Sequence, residues 1–123
     1  MAKAFTKKLE AYPVHKALRG IAYRTISKGS SIEPVEVDYV PVKKGSKVEG
    51  HIHAKSNAFC LILEGSGAVI VGGKKIKIKK NDIISIPAGT WHEFYASKKE
   101  KLVFLSIQNP PIGDDYVFDR KFR

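Results

Sequence analysis

Short strand-like runs, some continuously apolar and some alternating apolar with polar residues, recur along this chain, broken by Gly, Pro, Asn and Ser. Period two marks a strand with one buried face, whereas an amphipathic helix repeats every three to four residues. The runs cover residues 20–28, 35–42, 47–53, 58–64, 68–71, 74–79, 83–86, 91–96 and 102–107. Many short strands with turn residues between them, and almost no helical periodicity, predict an all-β fold: a single small antiparallel β-barrel or sandwich.

Turn chemistry divides the runs. Lys28-Gly29-Ser30-Ser31 closes the first, and Gly65-Ser66-Gly67 is expected to separate two strands. Gly72-Gly73 predicts a tight hairpin, because both turn positions can take positive φ. Asn81-Asp82 and Pro87-Ala88-Gly89 make two further breaks. Outside the barrel, Phe5 and Leu9 suit one turn of helix before Pro13, and Pro110-Pro111-Ile112-Gly113 precludes a regular strand. Phe118 and Phe122 predict a tail that packs on the barrel or on a partner subunit.

A chain of 123 residues fits one domain, with a core that needs no disulfide staples. Its single cysteine, Cys60, rules out an intrachain disulfide and suits a reducing compartment. Met1 to Lys8 is basic but lacks the apolar stretch of a signal peptide, and the longest apolar run, 58–63, cannot span a bilayer. The expectation is a soluble cytoplasmic protein with no membrane partner. The net charge of +10 raises the question of nucleic acid. Much of it lies in Lys74-Lys75-Ile76-Lys77-Ile78-Lys79-Lys80, where lysines alternate with Ile76 and Ile78. That pattern predicts a solvated strand face guarding a sheet edge. No aromatic residue interleaves with the lysines to stack on bases, so nucleic acid is the weaker reading.

Three of the four histidines change the picture. His51 and His53 stand two apart on one run, so both imidazoles face the same side, and His92 opens a later run after Pro87-Ala88-Gly89. In a rolled antiparallel barrel the inward faces of distant strands converge, so these three can meet around one metal ion and leave coordination positions open. His15 lies outside this pattern and reads as an ordinary histidine.

These residues resemble the cupins. Gly45, five residues, His51-Ile52-His53 and then Gly65 are similar to the first motif of that family; Pro87-Ala88-Gly89-Thr90-Trp91-His92 is similar to the second. The resemblance spans about residues 35–107, leaving terminal extensions on either side. It implies a double-stranded β-helix, or jelly roll, with metal ligands His51, His53 and His92. In that family some members with three-histidine iron sites are dioxygenases, while others are isomerases or bind ligands without catalysis; the resemblance also implies a homodimer.

The chain departs from the family pattern where a glutamate ligand usually stands. Ala58 occupies that place, with Asn57 beside it. Asn81 replaces a glycine, a change that left-handed backbone tolerates, and Ala96 replaces an asparagine. Three neutral imidazoles around a divalent cation leave about two positive charges uncompensated. Such a site favours Zn, Fe, Ni or Cu over hard cations and favours a small, oxygen-containing anionic ligand. Strand parity adds pocket candidates: Ala58, Cys60, Ile62 and Phe94 face inward with His92. Cys60 is core filling or a redox or ligand group; Asn57 could offer an amide oxygen, and Glu49 shares parity with the histidines. Trp91 and Phe94 are candidates for the pocket wall or mouth. No general base stands in the motifs, which favours a dioxygenase-like oxidoreductase over an isomerase. A non-catalytic small-molecule sensor is the competing class.

Overall fold

The computed structural model of the protein describes residues 3–123. Nine strands are described, all but the first falling on the expected runs: β1 (His15–Lys16), β2 (Ala22–Thr25), β3 (Glu36–Val42), β4 (Lys47–His51), β5 (Asn57–Val71), β6 (Lys74–Lys79), β7 (Ile83–Ile86), β8 (His92–Ala96) and β9 (Leu102–Asn109). There is no α-helix among the described residues, only short 3₁₀ turns. All strand pairings are antiparallel, in the order β1-β2-β3-β9-β5-β8-β4, with β6 and β7 also on β5. The protein is the all-β, curled antiparallel fold that the sequence predicts.

β5 explains the curl. It is one strand of fifteen residues, not two strands parted by a turn at Gly65-Ser66-Gly67. Its first half pairs with β7 and β9, and its second half with β6 and β8. The pairing with β9 slips between Ile62 and Glu64, and the strand bends there to join both sides of the barrel. The glycines serve close approach. A Cβ on Gly65 would stand 1.7 Å from the Lys101 carbonyl oxygen, and one on Gly67 would stand 1.9 Å from that of Tyr95. Glycine therefore marks a place where backbone meets backbone, which a local reading of the sequence takes for a turn.

The β5–β6 hairpin turns at Gly72-Gly73 as expected, with Val71 opposite Lys74. On β6, Ile78 is buried but Ile76 is 46% exposed, sharing a shallow groove with Ile83. The wet-face pattern thus holds for only one of the two isoleucines. Asn81 takes the positive φ expected of it. The 3₁₀ turn at Leu9–Ala11 leaves Phe5 half exposed. β1, which the pattern does not reveal, is two residues long and pairs with β2.

The core lies inside the curl: Val40, Val42, Val48, Ile62, Val69, Ile86, Phe94, Leu102 and Phe104. Phe94 and Phe104 stack at 4.3 Å between ring centroids. After β9 the chain runs irregularly and returns to β4, where Ile52 and Val117 form an isolated bridge. This return lays Tyr116 and Phe118 against the histidines.

Candidate metal centre

His51 ends β4 and His92 opens β8, and the two strands pair so that these residues are opposite each other. The register slips between Val48 and His51, and His53 lies just beyond the strand end, on the far side of the Ile52 bridge. All three side chains are buried, and one ring nitrogen from each lies within 4.8 Å of the others.

The orientation of each ring is fixed from behind. The Nδ1–H of His51 donates to the Glu49 carbonyl at 2.6 Å, that of His53 to the Asp115 carbonyl at 2.6 Å, and that of His92 to the Thr90 carbonyl at 2.9 Å. With Nδ1 committed as donor, Nε2 keeps its lone pair. This is the outer contact that sets tautomer and direction in metal-binding histidines. Burial lowers the pKa of His51 to about 4 and of His92 to about 3, and lowers that of His53 despite the nearby Asp115. At neutral pH all three are uncharged acceptors, and three converging imidazole lone pairs fit a divalent transition metal.

Asp115 ties the C-terminal segment to the site. Its carboxylate accepts from the backbone N–H groups of Ala54 and Lys55, both at 2.8 Å, and of Ser56 at 3.2 Å, so it clamps the loop that follows His53. Those bonds hold its own pKa down despite some desolvation. Tyr116 then packs on the His51 and His53 rings at centroid distances of 5.0 and 4.9 Å.

The opposite wall carries a second polar group of residues. Asp38 on β3 is buried; its Oδ1 accepts from Thr25 Oγ1 at 2.7 Å, and the Gln108 amide donates to its Oδ2 at 3.2 Å. Gln108 also donates to the Glu36 carbonyl at 3.2 Å and accepts from the Ser106 hydroxyl, on which the Cys60 thiol rests at 3.6 Å. Burial, and then the adjacent Glu36 carboxylate, push the Asp38 carboxyl far above the usual carboxylate range, so it stays protonated at neutral pH. Tyr23 and Tyr116 complete the lining, and neither hydroxyl has a hydrogen-bond partner among the described residues. The space between the walls is small, about 40 Å³.

Ala58, Cys60 and Phe94 lie on this cavity, while Ile62 is sealed in the core away from it. Burial pushes the Cys60 thiol up to about 11, which keeps it protonated. Three other candidates lie elsewhere. Asn57 is exposed and braces the loop, accepting from Ala88 N–H at 2.9 Å and donating to the Asn109 carbonyl. Glu49 pairs with Arg19 at 3.2 Å on the outer surface. The Trp91 ring packs against Gly50, where a Cβ would come within 2.4 Å of it, and its Nε1–H donates to Glu93 at 2.8 Å. Alternation sends Trp91 to the face opposite His92, which accounts for its place. His15 is exposed beside Tyr23.

Sequence reasoning missed Asp38, Ser106, Gln108, Tyr23 and Tyr116 as cavity residues. For Asp38 a signal existed: it shares parity with the apolar Val40 and Val42, as does Glu36 at the start of the strand. Tyr116 had none, because it sits in an irregular segment.

Comparison with known proteins follows the same lines. A family profile described as "Cupin domain" matches residues 38–108. The chain is 37% identical over 75 residues to a probable oxidoreductase (virH) of Hypocrea virens, covering 58% of this chain and 34% of that protein. It is 31% identical over 93 residues to the 1-methylthio-D-xylulose 5-phosphate methylsulfurylase of Rhodospirillum rubrum, covering 74% of this chain and 57% of the relative. It is 29% identical over 110 residues to a gentisate 1,2-dioxygenase of a Ralstonia species, covering 84% and 30%. The chain thus spans between 30% and 57% of the length of these curated relatives. A solved structure of a cupin-2 domain from Rhodospirillum rubrum superposes with a TM-score of 0.68 at 24% identity, covering 88% of this chain and 69% of the other.

Proposed function

The chain belongs to the cupin domain family, and on that premise we propose that it holds one divalent transition metal at His51, His53 and His92 and there binds or transforms a small oxygen-containing anion. The observation that carries this is the set of three Nδ1–carbonyl bonds behind three rings whose nitrogens converge within 4.8 Å. A purely structural histidine cluster gains nothing from turning three lone pairs toward one another at a cavity. A metal ion gives them a partner.

Zn, Fe, Ni and Cu suit an all-imidazole donor set. When bound, such an ion supplies Lewis acidity toward ligand oxygens and, where it is iron, a place for dioxygen. The chain's own residues orient the ligands, exclude bulk water with Tyr116 and Phe118, and line the remaining space with apolar side chains. A dioxygenase-like reaction is supported by the relatives named as an oxidoreductase and as gentisate 1,2-dioxygenase. One observation favours a second reading, an isomerase-type reaction. Asp38 lies on the cavity and could move a proton, the group that the motifs lack.

Metal analysis of protein purified without a polyhistidine tag tests the site. About one equivalent is expected, falling to a trace in His53→Ala; full occupancy in that variant overturns the proposal. Oxygen uptake by the iron-loaded protein with β-diketones, thiols and hydroxy acids separates oxidation from binding alone. Homodimerisation belongs to the same proposal. Phe59 and Ile107 are paired across β5 and β9 and are both exposed, with Ile83 at 59% exposure on the adjoining β7. A second copy of the chain would cover this face. Sedimentation of a monomer at micromolar concentration counts against it.

A further inference from the structure

The chain carries 22 lysine and arginine residues, yet none of the described ones lines the cavity. That distribution restricts what can bind. Phosphate esters carry close to two negative charges and are held in proteins by guanidinium or ammonium groups, or by the N–H groups of a helix N-terminus. The cavity offers none of these, and there is no α-helix among the described residues. Among the described residues that line the cavity, positive charge would have to come from an ion held at the histidines.

Hydrogen-bonding capacity is equally uneven. On the far wall Asp38, Gln108 and Ser106 engage one another, so their polar atoms are occupied. Tyr23 from β2 and Tyr116 from the C-terminal segment are not occupied. No described residue hydrogen-bonds to either hydroxyl, and the two residues, from distant parts of the chain, line the one cavity that also holds the three histidines. Ile21, Val40, Phe94 and Phe104 make the rest of the surface largely apolar. The space, about 40 Å³, suits a molecule of few heavy atoms.

Resting on the metal reading above, we propose that the ligand is a small 2-oxo or 2-hydroxy carboxylate, with adjacent oxygens toward His51, His53 and His92 and its remaining carboxylate oxygen accepting from the Tyr23 and Tyr116 hydroxyls. Sugar phosphates and other phosphate esters are disfavoured, because no guanidinium or ammonium group lines the cavity to hold a second negative charge. The two tyrosines are specificity residues. Their role is to recognise an acceptor oxygen, and a phenylalanine in either place preserves the ring packing while removing the donor.

The test uses the full chain loaded with Co(II), whose visible absorption reports on the ligands around the ion. Pyruvate and lactate are expected to shift the spectrum saturably, and ribose 5-phosphate at equal concentration is expected to leave it unchanged. Tyr23→Phe and Tyr116→Phe should each weaken pyruvate binding roughly tenfold, as for a lost hydrogen bond to a charged group, with one equivalent of Co(II) retained. A double variant that binds pyruvate as the native chain does overturns the proposal. So does a spectrum that responds to ribose 5-phosphate as strongly as to pyruvate. If Co(II) binds and neither carboxylate alters its spectrum, this proposal falls and the metal site stands. If Co(II) fails to bind at the histidines, both fall.

Discussion

On the β4–β8 wall of the cavity each polar side chain spends its donor on a backbone carbonyl behind it and turns a lone pair inward. On the β3–β9 wall, donors and acceptors are spent on each other, and a carboxyl is kept neutral by burial beside a second carboxylate. Both walls bury polar groups at a cost of the kind that mispaired groups carry. On the metal reading proposed above, a cation completes the first wall; the second satisfies its polar groups without one. An aspartate beside three converging histidines invites assignment as a metal ligand, but here it stands among donors of its own and outside the cluster of converging nitrogens.

The comparison breaks most visibly if one histidine is removed. His53→Ala should abolish stoichiometric metal binding in a dialysis and metal-analysis experiment, because two imidazoles alone make a poor site. Asp38→Asn should retain about one equivalent. Loss of metal from both variants would show that the acid wall also coordinates. Equal retention in both would remove the site from the histidines altogether.

The two walls were also unequally legible. His51, His53 and His92 announced themselves because like residues recur at fixed spacing beside Gly45, Gly65 and Gly89, and a backbone motif constrains where they point. Asp38 did not, because polar residues within a strand are normally assigned to the wet face. Only its parity with Val40 and Val42 on β3 argued otherwise. Gln108 has the same ambiguity beyond the end of the last apolar run, and Tyr116 lies where no period exists. The glycines at 65 and 67 misled in the opposite way. Their purpose is a contact with residues some thirty positions later, which no local pattern contains. Thus the alternation of the strands, being local, was read correctly in most runs, while long-range closure was not.

Asp115 supports the first wall from behind: its carbonyl accepts from the His53 Nδ1–H, and its carboxylate clamps the Ala54–Ser56 loop. Asp115→Ala removes a carboxylate that accepts three backbone N–H groups and leaves the carbonyl partner of His53 free to drift. Outer contacts of this kind are worth about 10–100-fold in metal affinity. Competition with a chelator should show a loss in that range. An unchanged affinity would mean that Ile52 and Val117 hold the segment by themselves.

Metal-free protein should reveal the two walls through opposite responses to pH. The histidines have folded-state pKa values below their unfolded value near 6.5. The unfolded chain therefore binds more protons as pH falls through 6.5 toward 4, and stability drops on acidification. Asp38 has a folded-state value above its unfolded one. Its contribution is full below the ordinary carboxylate range and is lost as pH rises through the folded value, because the native state alone retains the proton. Each proton of difference is worth about 1 kcal/mol per pH unit. Denaturant titrations at pH 5, 7 and 8.5 should show that Asp38→Asn flattens the alkaline fall and leaves the acid fall in place. A variant that keeps the alkaline slope would show that Asp38 ionises normally in the folded chain.

The smallest effect is expected at Cys60, which lies on the cavity between the walls. Its thiol donates to Ser106 at 3.6 Å, is held protonated by burial, and has no cationic neighbour to activate it. Cys60→Ala should therefore cost about 1 kcal/mol in stability, the scale of a lost small buried group and a weak hydrogen bond, and change metal affinity by less than about twofold. Ser106 can still donate to Gln108, so the acid wall stays closed without the sulfur. A tenfold fall in metal affinity would instead make the thiol part of the cation wall and erase the boundary drawn between β5 and the histidines.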